Sequence, residues 1–321
     1  MDFDFQRYIQ SRRGERSVDG VRTFQDYAFG RDVKVLRTLD RTRFVGLALK
    51  ATARLERSWL KNEVVDKAVR VGPGAHADVR ELAHDVARAV GMATPTIYLT
   101  AATRPWLAVA VTVEGSACIL LDPVALDTLS NAELSFVLGQ QCGHLDNGHL
   151  PYTTCQFALA QMEQGFAGWL LRPAQLALET WQRVGDITAD RAGLLACRDL
   201  EVATSALRKL HPEDTATVEV GVQPVDVAES GDSAESDEFQ DQADLDEHDE
   251  DREDGPDDTT VVDSDAGTDA PAERRAHALR NRLRALAAFE RSSFYRVATG
   301  LDGGDPLTDV DKEVEGSLRW V

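Results

Sequence analysis

The sequence predicts an α+β fold, mainly helical around a small sheet. Apolar residues recur at helical spacing in long stretches, from about residue 34 to 91, from 127 to 210 and again from 273 to 301. Between the first two lie three short runs rich in β-branched and apolar residues, within residues 94–123. After His211-Pro212 the composition turns abruptly to Asp, Glu, Ser, Gly and Thr, which marks the end of the main folded body. At 321 residues and 43% apolar content, the chain is long enough for one sizeable core.

Taken in order, residues 1–33 are polar and interrupted by glycine, and read as a flexible lead-in. Helical patterning then runs through Val35, Leu36, Leu39, Phe44, Leu47, Leu49, Leu55, Trp59 and Leu60. Residues 1–70 hold 16 bases against 10 acids, a basic face that suits solvent or a membrane surface. The segment 79–91 is an amphipathic helix with Leu82, Val86 and Val90 on one stripe and Gly91 as its stop. Residues 94–100, 106–113 and 116–123 follow as strands, the last two joined by the hairpin signal Glu114-Gly115. Ser130 with Glu133 three residues on forms a capping box, so the next helix starts near residue 131. A further helix covers Tyr152 to Leu171, Pro173 permits a fresh start, and helical patterning resumes from 181 to about Leu210.

Residues 213–272 form an acidic linker. From Asp226 to Asp269 there are 20 acidic residues and one base, Arg252, so almost all of the chain's net charge of −20 is local. Such a stretch buries too little apolar surface to offset chain entropy and is expected to be disordered. The charge sign also argues against a nucleic-acid partner. In residues 273–301, Leu279, Leu283, Leu286 and Phe289 repeat at helical spacing, which predicts a helix that packs back on the main body. The tail, 302–321, holds a short helix that docks through Leu318 and Trp320. There is no run of 18 apolar residues and no apolar segment near the start, so a cytoplasmic protein without a membrane span is expected. The cysteines Cys118, Cys142, Cys155 and Cys197 have no C-x-x-C spacing and read as small buried hydrophobes.

Two stretches carry a resemblance. ELSFVLGQQCGHLDNGHLPY (133–152) resembles the active-site helix of the HtpX and CaaX-prenyl-protease type of zinc metallopeptidase, a gluzincin group. That group's pattern is roughly L-x-x-V-L-G-H-E-L-G-H-x-x-x-G-H. WQRVGDITADRAGLLACRD (181–199) is similar to its third-ligand helix, W-x-R-x-x-E-x-x-A-D-R-A-G-L-L-A. The resemblance covers about residues 34–212, as a metallopeptidase-like domain, together with the helix at 273–301. It implies a mainly helical gluzincin fold with a small antiparallel sheet.

In H-E-x-x-H the two His lie one helical turn apart and reach one Zn²⁺, while the Glu polarises the zinc-bound water. Here those positions read Gln140-Gln141-Cys142-Gly143-His144. The resemblance places metal ligands at Gln140, His144 and Asp186, the general base at Gln141, and a carboxylate supporting the first ligand at Asp190. Only His144 is unchanged. Gln140 is a neutral amide, Gln141 cannot take up the proton, and Asp186 is one methylene shorter than the family's Glu. Loss of a positioned general base alone typically costs about 10²–10⁴ in rate.

The expectation is therefore a pseudopeptidase, with zinc absent or weakly bound, that acts as a binding or regulatory module for a protein or peptide in the former substrate groove. Its edge is 106–113, where Trp106-Leu107 replace the group's usual Asn-Ala. The alternative is an active enzyme with an unusual ligand set, His144, Asp186 and Gln140 or His149. His149 qualifies only if the helix breaks at Asn147-Gly148. Cys142 faces away, about 200° around the helix from Gln140. The bland reading of the same residues is a buried His144–Asp186 hydrogen bond with Gln140 and Gln141 satisfied by each other and Asp190. His76, His84, His211, His248 and His277 read as surface or loop residues.

Overall fold

The computed structural model describes residues 26–318, apart from 40, 56–59, 61, 63, 64, 105, 114, 162–167 and 216–268. The lead-in before Asp26, most of the acidic linker and Trp320 thus lie outside the described residues. The described part of the lead-in is well packed, with Tyr27, Phe29 and Asp32 all buried.

Two helices, α1 (Gly30–Leu39) and α2 (Arg43–Leu55), precede a two-residue strand β1 (Val69–Arg70) and α3 (Ala77–Val90). Gly91 ends α3 in the left-handed region at φ 84, and its N–H returns to Ala87 and Arg88 carbonyls. The strands β2 (Thr96–Leu99), β3 (Ala108–Val113) and β4 (Ser116–Leu121) follow. With β1 they form one sheet in the order β1-β2-β4-β3.

The sheet is mixed rather than purely antiparallel. The β3–β4 hairpin turns at Gly115 (φ 79), but β2 pairs with β4 in parallel. The residues between β2 and β3 carry the chain past the β4 position, so β4 fills the gap beside β2. Both faces of the sheet are covered, which explains why its strands are apolar at successive positions. Ile97, Ile119 and Leu121 pack with α3 and the next long helix, while Leu120, Val111 and Cys118 pack with Phe157 and Leu60 on the other face.

A short helix α4 (Val124–Thr128) leads into α5 (Asn131–Asp146), α6 (Leu150–Gln161) and the 30-residue α7 (Gly168–Cys197). Pro173 lies inside α7, which therefore begins earlier than the proline suggests. The helical stretch to Leu210 is not continuous. Arg198 takes φ 57, Asp199 caps the backbone of Glu201 and Val202, and α8 (Leu200–Leu210) starts afresh. After the undescribed linker come α9 (Asp269–Glu290), α10 (Ser293–Ala298) and α11 (Leu307–Ser317). Leu279, Leu286 and Phe289 of α9 join the main core, and Leu318 is buried behind α11. No helix among the described residues is long and apolar enough to cross a membrane. Cys118, Cys142 and Cys155 are buried, Cys197 is half-buried, and all four are free thiols.

Candidate functional site

The site is built on α5, a helix buried on every side from Glu133 to Asp146. Ser130 and Glu133 form the reciprocal capping box that fixes its start. Its glycines let it lie against α7 backbone to backbone. A Cβ on Gly139 would stand 2.7 Å from Ala196 Cβ and 2.8 Å from Gly193 Cα, and one on Gly143 would stand 2.8 Å from Ala192 Cβ. This close approach brings Gln140 and His144 up to Asp186 and Asp190, one turn apart on α7.

The helix breaks at Asn147-Gly148. Asn147 caps α5 by donating its N–H and its side-chain Nδ2 to the Gly143 carbonyl, and Gly148 takes φ 72. The chain folds back, and His149 Nδ1 comes 2.9 Å from His144 Nδ1. Its other nitrogen, Nε2, stands 3.0 Å from Asp32 Oδ2, with both side chains buried. Asp32 also accepts from Thr188 Oγ1 at 2.6 Å and Trp181 Nε1 at 2.9 Å. Burial pushes its carboxyl up, but His149, Thr188 and Trp181 outweigh that and hold it below the usual range. One of the two facing Nδ1 atoms donates to the other, and His144 Nε2 is left on the side of Asp186. Burial and the neighbouring His149 hold His144 well below its ordinary value, so it is neutral.

His144 Nε2 lies 3.9 Å from Asp186 Oδ1, which is too far for a hydrogen bond. The two helices are not joined by a direct His–Asp bond. Burial, with Asp190 adding to it, raises Asp186 to about 6 despite a nearby cation. That cation is Arg282, carried in by α9. Its Nε and Nη2 donate to Asp190 at 2.8 and 2.7 Å, and its Nη1 donates to Asp186 at 3.2 Å and to His211 Nε2 at 3.1 Å. Burial pulls the guanidinium down, but the two carboxylates outweigh it and keep it charged. Gln140 Nε2 donates to Asp190 Oδ1 at 2.6 Å. Gln141 is buried beside the cleft, and its amide has no hydrogen-bond partner among the described residues, so the two glutamines do not satisfy each other. Cys142 points into the core, its thiol pushed up by burial to about 12.

His211 follows α8 in a loop, as expected, and is half-buried. It lines the cleft beside Arg282, and burial followed by that guanidinium takes it down to about 4. The cleft encloses about 480 Å³ between α5, α7 and the edge strand β3, with Trp106, Leu107 and Val109 on the strand side. Trp106 packs against Phe157 at 6.0 Å between ring centroids.

A model of peptidase family M48 matches residues 73–289, which is most of the chain and all of this site except Asp32. The chain belongs to peptidase family M48. Members of that family are zinc-dependent in general. A relative from Arabidopsis thaliana, the plastoglobule-localized metallopeptidase 48 of the chloroplast, is 27% identical over 180 residues, covering 55% of this chain and 52% of the relative. The chain thus spans about half the length of that relative. No solved structure matches it significantly.

The M48 residues present fit zinc poorly. A catalytic zinc takes three protein ligands at about 2.0–2.2 Å. His144 and Asp186 offer two, and at the third position Gln140 has turned its NH₂ to Asp190. Arg282 already donates to both carboxylates. Among the described residues no three His, Cys, Asp or Glu side chains are grouped to hold a metal ion. Sequence reasoning missed Asp32, His211 and Arg282. The signal for Arg282 was present: it falls on the apolar stripe of α9, three residues after Leu279 and four before Leu286.

Proposed function

We propose that this M48 member is a pseudopeptidase of the HtpX-like type, a cytoplasmic protein that keeps the peptidase body as a binding or regulatory module. The observation that carries the reading is the pairing at the centre. Gln140 donates to Asp190, and Arg282 spans Asp190 and Asp186, so a fixed guanidinium meets the carboxylates that a metal would otherwise balance. Beside them Gln141 stands where proton transfer needs a carboxylate, and an amide has no pKa in range. The chemistry left to the chain's own residues is binding. On the outer edge of β3 the Thr112 N–H and the Ala110 carbonyl are already taken by Thr154 and Thr153, so the room for a partner is the cleft beside Trp106, Leu107 and Val109. The four free thiols agree with a reducing compartment.

An active zinc enzyme with His149 as the replacement ligand is disfavoured, because His149 Nδ1 meets His144 and its Nε2 is buried 3.0 Å from Asp32, away from the cleft. The test is the metal content and peptide-cleaving activity of the chain purified without added zinc, beside the double variant Gln140→His with Gln141→Glu. The expected outcome is sub-stoichiometric zinc and no chelator-sensitive cleavage in the natural chain, with zinc binding gained in the double variant. Stoichiometric zinc and chelator-sensitive cleavage by the natural chain would overturn the reading.

A further inference from the structure

The helix α2 carries a surface that the peptidase reading does not use. Its inner face is buried through Val45 and Ala48, in a core shared with Tyr152, Cys155 and Leu159 of α6 and Ala174 and Leu178 of α7. Its outer face exposes two large apolar side chains one turn apart, Phe44 at 62% and Leu47 at 56%. For a globular surface this is unusual placement, since one side of the helix already supplies the core.

The charges around these residues are one-sided. Arg41, Arg43 and Lys50 are exposed, and α2, RFVGLALKATARL, contains no acid. At about 100° per residue, Arg43 and Lys50 fall within about 60° of Leu47, along one border of the apolar strip. None of the three bases is ion-paired among the described residues, whereas Lys34 on the preceding helix does meet an acid, Glu315, at 3.8 Å. Exposed apolar side chains bordered by unpaired bases are what a helix lying in an anionic lipid interface presents. The apolar groups enter the acyl boundary, and the bases stay at the phosphates. A protein partner would need an acidic rim to complement the bases as well as a pocket for Phe44. A bilayer supplies both by composition alone.

We propose that α2 is a peripheral docking face for an anionic lipid surface, with Phe44 and Leu47 inserted and Arg43 and Lys50 meeting lipid phosphates. The geometry makes this contact shallow and reversible, because two side chains and two or three charges anchor it.

The experiment is co-sedimentation of the full chain with vesicles of phosphatidylcholine alone and of phosphatidylcholine mixed with phosphatidylglycerol, at low and high salt. The natural chain should bind the mixed vesicles, bind the neutral ones weakly, and come off as salt rises. Phe44→Ser with Leu47→Ser should lower partitioning at least about tenfold. Arg43→Gln with Lys50→Gln should lower it about fivefold per base removed, on mixed vesicles only. All four positions are exposed, so circular dichroism should show each variant folded. Absence of binding to mixed vesicles at low salt would overturn the proposal, as would serine variants that bind like the natural chain. A dimer of the natural chain that the serine variant converts to monomer, without vesicle binding, would assign the face to a second copy instead.

Discussion

Arg282 shows how one side chain can change what a cluster of acids does. Asp190 is almost fully buried and takes three of its contacts from Arg282 and Gln140. Removing one partner of a buried ion pair leaves the other charge uncompensated, which is costlier than the pair itself was favourable. Arg282→Leu should therefore destabilise the chain by about 3–5 kcal/mol, read as a lower urea midpoint. Arg282→Lys should recover only part of this, because an ammonium cannot present the fork that binds Asp190 through two nitrogens and reaches Asp186 with the third. A leucine variant as stable as the natural chain would show that Arg282 is not the counter-ion of the centre.

The α5–α7 contact depends on the absence of side chains at Gly139 and Gly143. Alanine normally favours a helix over glycine by about 1 kcal/mol. At Gly139 the new methyl would press on Ala196 and on the Gly193 backbone, which cannot give way cheaply. Gly139→Ala should therefore cost about 1–3 kcal/mol despite the better helix residue. Gly46→Ala in α2 meets nothing within 4 Å and should instead stabilise by about 0.5–1 kcal/mol. Paired thermal melts decide this, and equal signs for the two changes would refute the packing account. The N-terminus of α5 sets a pH dependence of its own. Burial pushes Glu133 up, but Lys209, the Ser130 N–H and Ser205 outweigh it and bring it to about 2. A carboxyl depressed on folding stabilises above its unfolded value of about 4.5, and that stability is lost as pH falls towards 2. Glu133→Gln should cost about 1–2 kcal/mol at neutral pH, a discounted figure because Lys209 is partly exposed to screening water, and almost nothing at pH 2. Melts of the two proteins across that range should converge at the acid end.

At the scale of the molecule, what sequence could show divides by distance along the chain. The capping box at Ser130 and Glu133 and the stop at Gly91 were legible because each is a local spacing with a local cause. The α5–α7 pairing was legible through the two motifs that resemble known metallopeptidases, and the return of His149 was legible as a condition on Asn147-Gly148. The parallel β2–β4 pairing was not, since no local pattern says which edge a strand joins. Nor was Asp32, 149 positions from its partner Trp181; for Arg282 the apolar stripe marks a buried base, but not that its partner is Asp190, 92 positions away. The first and the last described helices both close on α7. Asp311 on α11 holds Arg191 at 2.6 Å and the Gly30 N–H at 2.9 Å, and that guanidinium lies between Phe29 and Phe289. The arrival of Arg282 from so far downstream also bears on how the protein is made. A ribosome adding about 5–20 residues per second needs roughly 5–20 s to travel from Asp190 to Arg282. During that interval the nascent chain holds the two carboxylates of α7 without their cation, so the centre gains its counter-ion only after translation has crossed the whole acidic stretch.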